Sequence, residues 1–434
     1  MKILITSLMM MLAGGPWSLS ECIRYALDNN ITVKQSELSV QQRETELSSA
    51  RGRHLPAVSA SASENFSFGR SITSYNTYEN TDVNTTSMSL GAQMPLFDGM
   101  QIYYGIELGK LNLAAATYDL ERARDDIRVA VAQSYVQILY NKALLTVAQY
   151  QVEMDSIQLA HKAVKLETGL ASKSDILSLQ TTLAKSRLTL TKAENNLNLS
   201  ILDLTQLLEL DNPDGFDIVV PDESAHMLTL LPDPEDIYAE AVTRKARIKS
   251  EEARLDYARA DIARAKGGYL PTLSLSGGIG TNYYNSSGNS LPQLSFGEQL
   301  RNNFSQYVGI SLNIPIFSQL RTRNSVRSAK LNFDSRQLEL ENAKKSLYKE
   351  IQQAYYNAVA AQSEHESSRQ AAASAEHSYN MIQEKYENGK ANITEYNEAK
   401  NQYLEAAEQF LQARYQCLYQ TRLLDFYKGE DLSF

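Results

Sequence analysis

Proline places the strongest limit on this chain. None occurs between Pro95 and Pro213, and none follows Pro315 in a chain of 434 residues. Proline lacks an N–H and its ring clashes with the preceding turn, so it breaks helix interiors. Two tracts of more than a hundred residues are therefore free to be helical, and both are rich in Ala, Leu, Gln, Glu, Lys and Arg, the good helix formers.

One stretch carries a coiled-coil repeat. Ile176, Leu183, Leu190, Leu197 and Leu204 recur every seven residues, and the second seam position reads Leu179, Ser186, Ala193, Ser200, Leu207. A sustained heptad of this kind predicts a helix packed along a partner helix, with small residues mid-seam allowing close approach. An ordinary amphipathic helix on a globular core is the plainer alternative.

Around four isolated prolines the period changes to two. After Pro56 the even positions read Val58, Ala60, Ala62, Glu64, Phe66, Phe68 against Ser59, Ser61, Ser63, Asn65, Ser67. Before Pro95, Met88, Leu90, Ala92 and Met94 alternate with Ser87, Ser89, Gly91 and Gln93. Leu273, Leu275, Gly277, Ile279 follow Pro271, and Val308, Ile310, Leu312, Ile314 precede Pro315, again alternating with Ser, Gly, Tyr and Asn. Each run predicts a strand with one apolar and one polar face. The polar segments 69–82 and 285–303 are the expected loops, giving hairpins at about 57–94 and 272–314.

The chain repeats itself. Ala50-Arg51-Gly52-Arg53-His54-Leu55-Pro56 returns as Ala265-Lys266-Gly267-Gly268-Tyr269-Leu270-Pro271, Pro95-Leu96-Phe97 as Pro315-Ile316-Phe317, and Glu167-Thr168-Gly169-Leu170-Ala171 as Glu387-Asn388-Gly389-Lys390-Ala391. The expected layout is a leader at 1–15, a first repeat at 16–210, a linker at 211–232, a second repeat at 233–424 and a tail at 425–434. Each repeat reads helix, hairpin, long helix, turn, helix. In the first, the helices fall at about 18–52, 98–167 and 171–210; the middle one is roughly 100 Å long at 1.5 Å per residue. Stacking the two shorter helices end to end beside it puts the turns, at 167–175 and 387–395, at the far end from the hairpins. Gly169 and Gly389 supply the left-handed conformation that a sharp reversal needs.

Residues 1–15 have the order of a secretory signal: Lys2, an apolar run from Ile3 to Leu12, then small residues. A buried terminal segment is the alternative. The run is shorter than the roughly 20 residues a membrane-spanning helix needs. Cys22 does not directly follow the small residues, so no lipid anchor is expected. A net charge of −9 argues against nucleic acid as a partner. Two cysteines exclude a disulfide scaffold and a Cys-based zinc cluster, and read as buried free thiols. The five histidines form no HExxH pair, and no GxSxG elbow or Walker loop is present, so no catalysis, metal or cofactor is expected.

The strands pose a packing problem. Four strands with an apolar face cannot close a barrel, and an open sheet edge cannot stand in lipid. Three copies give about twelve strands, within the range of outer-membrane barrels. The polar row would then line water. Glu64 falls on the apolar row and is a misfit. Tyr75, Tyr78, Tyr283 and Tyr284 near the strand ends suit interfacial girdles.

The duplicated pattern, the Leu-Pro before each first strand, the Pro-Leu-Phe and Pro-Ile-Phe after each second strand and the Gly-centred tips resemble the TolC family of outer-membrane efflux proteins. The resemblance covers essentially the whole mature chain. It implies a mainly α fold with a membrane β-barrel: internally duplicated coiled coils of long helices plus two β-hairpins, four strands per protomer of a trimeric twelve-stranded barrel, continued by an α-helical tunnel into the periplasm. It implies a homotrimer in outer-membrane lipid that works with a periplasmic adaptor and an inner-membrane pump of the RND, ABC or MFS type. The linker and tail resemble that family's equatorial belt.

The tips carry the expected site. Glu395 and Glu398 lie three apart on one helix face and would stack as two acidic rings in a trimer. The family has two Asp at the matching positions, lining its periplasmic constriction. Asp175 matches Glu395 in the first repeat; in the family that Asp is linked to the Tyr matching Tyr386. The family's Arg after the second-tip Gly aligns with Ala391, so that link is absent, with Lys390 the neighbouring candidate. Asp175, Tyr386, Glu395 and Glu398 are thus the expected periplasmic gate. Gly169, Leu170, Ser172, Gly389, Lys390 and Asn392 are the expected adaptor contacts. A solvated helix face is the plain alternative for the glutamates, as is simple turn packing for Leu170. At the level of function, a non-conducting envelope tether stands against the exit duct; the period-two apolar rows separate them, because a tether needs none.

Overall fold

The computed structural model describes residues 15–72, 76–169, 171–213, 215–221, 231–287 and 294–432. Most of the expected leader, Tyr75, Leu170 and much of the linker lie outside the described residues. By contacts the chain divides into Met1–Ser39, Thr117–Lys249 and Glu341–Phe434 as one unit, and Val40–Ala116 with Ser250–Leu340 as the other.

The element order repeats. The first half runs α1 (Leu19–Asn29), α2 (Ile31–Gly52), β1 (Ala57–Ser67), β2 (Arg70–Ile72), β3 (Tyr78–Asn80), β4 (Val83–Phe97), α3 (Gln101–Glu167) and α4 (Lys173–Leu207). The second runs α5 (Pro234–Arg244), α6 (Ala246–Lys266), β5 (Thr272–Ser286), α7 (Phe296–Asn302), β6 (Ser305–Asn313), α8 (Arg321–Glu387) and α9 (Ile393–Lys428). The two long helices, α3 and α8, are both 67 residues.

The unit containing the tips is mainly helix packed on helix. The heptad of α4 follows its packing seam: Leu179, Leu183, Ser186, Ala193, Ser200 and Leu204 are buried and Ile176, Leu190, Leu197 and Leu207 half-buried, while Leu188, Leu199 and Leu202 off the seam are exposed. The helix expected at 18–52 is broken at Asn30. Its side-chain amide donates to the Leu207 carbonyl at 2.9 Å and its Oδ1 accepts from the Thr32 N–H at 2.9 Å. One side chain thus starts α2 and satisfies the end of α4, so these two helices meet end to end. Tyr135 on α3 donates to the Val219 and Trp17 carbonyls, at 2.7 and 3.1 Å, and so holds the linker segment at Val219 beside Trp17, just ahead of α1. Cys22 and Cys417 are buried and free, and burial pushes the Cys22 thiol up to about 12. The tail expected from 425 begins four residues later. Asp425 to Lys428 continue α9, and Gly429 at φ 98° ends it.

The other unit holds a four-stranded antiparallel sheet in the order β1-β4-β5-β6, so the two hairpins join through β4 and β5. The register keeps the parity of the sequence. Ala60, Leu90 and Ile279 lie opposite one another across three strands, as do Leu275 and Ile310 across the last two. Ser61 pairs with Ser89, and Ser274 with Ser311, on the other face. One face is therefore a continuous apolar field and the other a field of Ser, Gly, Asn and Gln. The apolar field is uncovered: Val308 is 82% exposed and Ile310 68%.

β4 extends past the expected end at Met94 to Phe97, with a register shift between Pro95 and Phe97. Its pairing with β1 has already stopped at Gln93, so on that side proline's missing N–H costs no ladder bond. The expected loop 69–82 carries the two short strands β2 and β3, with Arg70 over the Tyr78 ring at 5.5 Å. The expected loop 285–303 carries α7, whose Phe296 packs edge-on to Tyr283 at 4.9 Å. Glu64, the misfit, accepts a hydrogen bond from the hydroxyl of its cross-strand partner Thr86, which gives the carboxylate a partner on that face.

Candidate functional site

Both helical tips are built by the same local rules. At the second, the Gly389 N–H donates to the Tyr386 carbonyl at 3.1 Å and the Lys390 N–H to the Lys385 carbonyl at 2.7 Å, with Gly389 at φ 71°. This paired reversal closes α8 and needs a residue at ease in the left-handed region. Asn392 then caps α9: its Oδ1 accepts from the Glu395 N–H at 2.9 Å, and Glu395 Oε2 accepts from the Asn392 N–H at 3.2 Å. At the first tip Gly169 stands at φ 74°, and Ser172 and Asp175 exchange the equivalent pair of bonds at 3.1 and 3.3 Å. The two expected gate carboxylates, Asp175 and Glu395, are therefore the reciprocal caps of α4 and α9.

That local role leaves their charge at the helix ends. Glu395 and Glu398 are both exposed, three residues apart on the first turns of α9, and Asp175 is half-buried. Gly169, Ser172, Gly389, Lys390 and Asn392 are all exposed as well. Leu170 lies outside the described residues.

Tyr386 belongs to a buried aromatic cluster rather than to the exposed acidic face. It is buried in a cluster with Tyr379 and Tyr396, against which Ala391, Ile393 and Tyr403 pack. Its ring stacks on Tyr396 with centroids 5.0 Å apart, and the Lys162 ammonium of α3 lies 4.5 Å over its face. Its hydroxyl is buried with no hydrogen-bond partner among the described residues. Burial, and then the nearby Asp175 charge, push the phenol above its ordinary pKa. Ala391 thus packs against the tyrosine cluster, and the cation over the Tyr386 ring comes from α3.

A second cluster lies deeper along the same helices. Lys400 of α9 contacts both Asp155 oxygens at 2.6 and 2.8 Å, with the two side chains 3% and 2% exposed. Ser186 of α4 donates to the same carboxylate at 2.5 Å. Nearby, Gln158 of α3 donates to the Tyr396 hydroxyl at 2.5 Å, and Tyr379 shares a 2.9 Å hydrogen bond with it. Burial pushes the Lys400 ammonium below its ordinary pKa, opposed by its bond to Asp155. Among the described residues there is no group of His, Cys, Asp and Glu that could hold a metal ion, and no helix is long and apolar enough to cross a membrane.

Residues 22–209 and 237–430 match the family described as outer membrane efflux protein. The chain belongs to that family. It is 24% identical over 403 residues to outer membrane protein TolC of Escherichia coli strain K12, covering 92% of this chain and 80% of that protein. It is 23% identical to the proteases secretion protein PrtF of Dickeya chrysanthemi, covering 82% of this chain and 76% of that protein. Its fold matches the CmeC outer membrane channel of Campylobacter jejuni with a TM-score of 0.78 at 20% identity, over 96% of this chain and 87% of that one. Long helices and a four-stranded sheet are thus the fold of outer-membrane channels. This member of the outer membrane efflux protein family is an exit duct of the efflux or type I secretion kind, in a family of transport channels rather than enzymes.

In the sequence of this efflux-family chain the tips are legible and the second cluster is not. Asp155 and Lys400 are 245 positions apart, and neither belongs to a motif. One signal was present: Lys400 lies on the helix face of Tyr396 and Tyr403, a charge on an otherwise buried aromatic stripe of α9.

Proposed function

We propose that three copies of the chain close one twelve-stranded barrel in outer-membrane lipid, and that their helices continue as a tunnel into the periplasm. A sheet with two unpaired edges, β1 and β6, and an uncovered apolar face carries this reading. Such edges and such a face are stable in a bilayer only in a closed barrel, and three sheets of four strands give an even-numbered one. The Ser, Gly and Asn face then lines water.

The tips are the gate. Glu395 and Glu398 from three protomers form two stacked acidic rings that favour cations and admit a divalent ion as a plug. Asp175 and Tyr386 sit behind them, on α4 and α8. Gly169, Leu170, Ser172, Gly389, Lys390 and Asn392 face the hairpin of a periplasmic adaptor, through which an inner-membrane pump of the RND, ABC or MFS type delivers its substrate. The pump chooses the cargo, and the rings set which charges pass easily.

The test is single-channel conductance of the full chain in a planar bilayer with millimolar divalent cation added from the tip side. The wild type should be blocked. Glu395→Ala with Glu398→Ala should relieve the block by about tenfold or more in concentration, one tenfold step being about 1.4 kcal/mol. An unchanged block would remove the rings from the gate.

A further inference from the structure

The seam between the α3–α4 pair and the α8–α9 pair carries charge where a coiled coil ordinarily carries carbon. Three of the four helices meet on one carboxylate: Asp155 of α3 holds the Lys400 ammonium of α9 and the Ser186 hydroxyl of α4, all buried. The surrounding seam is polar and under-bonded. Gln151 Nε2, one turn before Asp155, and Gln158 Oε1, Tyr386 Oη and Asn397 Oδ1 are buried without a hydrogen-bond partner among the described residues. The pair lies twelve residues before the end of α3, about 18 Å from the tip at the helical rise.

An apolar seam and an ionic seam differ in how they open. Parting apolar faces exposes area whose cost grows with every step. Parting a dry ion pair into water returns each charge to its solvent and recovers most of the desolvation penalty. Leaving one charge dry without the other is the unfavourable state. The pair therefore favours two arrangements, joined and dry or parted and wet, over anything between. Unbonded polar groups along the same seam likewise gain partners when water enters.

We propose that Asp155, Lys400 and Ser186 form a latch that holds the α3–α4 pair to the α8–α9 pair while the duct is closed, and that releases by hydration of the ion pair. They are positioning residues: the latch sets where the tip carboxylates stand. The proposal rests on the exit-duct reading.

The test compares conductance of full-length trimers in planar bilayers with trimer yield from the same preparations. Asp155→Asn and Lys400→Met each strand a polar partner, and among assembled trimers they should raise the open fraction by about tenfold or more. Asp155→Leu with Lys400→Met replaces the pair by carbon, removes the hydration route, and should give trimers no more open than the wild type. Should either single variant fail to assemble, Ser186→Ala removes one hydrogen bond and should raise the open fraction by a smaller, measurable factor. Single variants whose assembled trimers conduct like the wild type would overturn the latch, as would a double variant as open as the singles. A wild type that forms no conducting trimer overturns the exit-duct reading itself.

Discussion

Ile310→Arg and Ser311→Arg are neighbours on one strand and should behave as opposites. Ile310 lies mid-way along β6, paired with Leu275 on the apolar face, and is 68% exposed in the isolated chain. Ser311 pairs with Ser274 on the polar face. If the apolar face meets lipid, Ile310→Arg puts a guanidinium near the bilayer midplane at a cost of about 2–4 kcal/mol per copy, or about 6–12 kcal/mol per three-chain barrel. Per copy that lowers the folding equilibrium about thirty- to a thousandfold. Ser311→Arg adds charge to the water-lined face, where it should leave stability nearly unchanged and shift selectivity toward anions. The assay is the fraction of heat-resistant trimer in outer-membrane extracts, followed by ion selectivity of whatever trimer survives. Ile310→Arg should lose most of its trimer and Ser311→Arg should keep it. Equal loss in both, or greater loss in Ser311→Arg, would refute the assignment of faces.

Two further outcomes follow from the helical unit. Leu204→Ala empties a fully buried position of the α4 seam and should cost about 2–5 kcal/mol, whereas Leu188→Ala, exposed on the same helix, should stay within about 0.5 kcal/mol; unfolding rates in urea compare them. His365 is buried against Phe410, its Nδ1 without a hydrogen-bond partner among the described residues, and burial lowers its pKa. The unfolded chain then binds the proton more readily, so stability should fall as pH drops below the ordinary value of about 6.5, and His365→Phe should flatten that part of a melting-temperature profile.

Features that repeat within one element were legible in the sequence. The α4 heptad named its buried residues because the period of seven is the seam itself. The parity of Val58, Leu90, Ile279 and Ile310 named the apolar face because side chains alternate strictly along a strand. Features made by distant partners were not. The break at Asn30 depends on the Leu207 carbonyl, and the seam ion pair depends on a lysine 245 residues from its aspartate. The end of α9 is readable in Gly429, the left-handed terminator, which lies four residues beyond the expected start of the tail. At the tips, the acidic residues Asp175 and Glu395 stand out in the sequence, while their capping bonds to Ser172 and Asn392 appear only once the helices start where they do.

The most direct measurement is the native mass of the protein extracted from the outer-membrane fraction in mild detergent. A trimer is predicted, in the membrane fraction, because four strands with two open edges close only with copies of themselves. A monomer, or recovery only from the soluble periplasmic fraction, would contradict the shared barrel and favour an envelope tether.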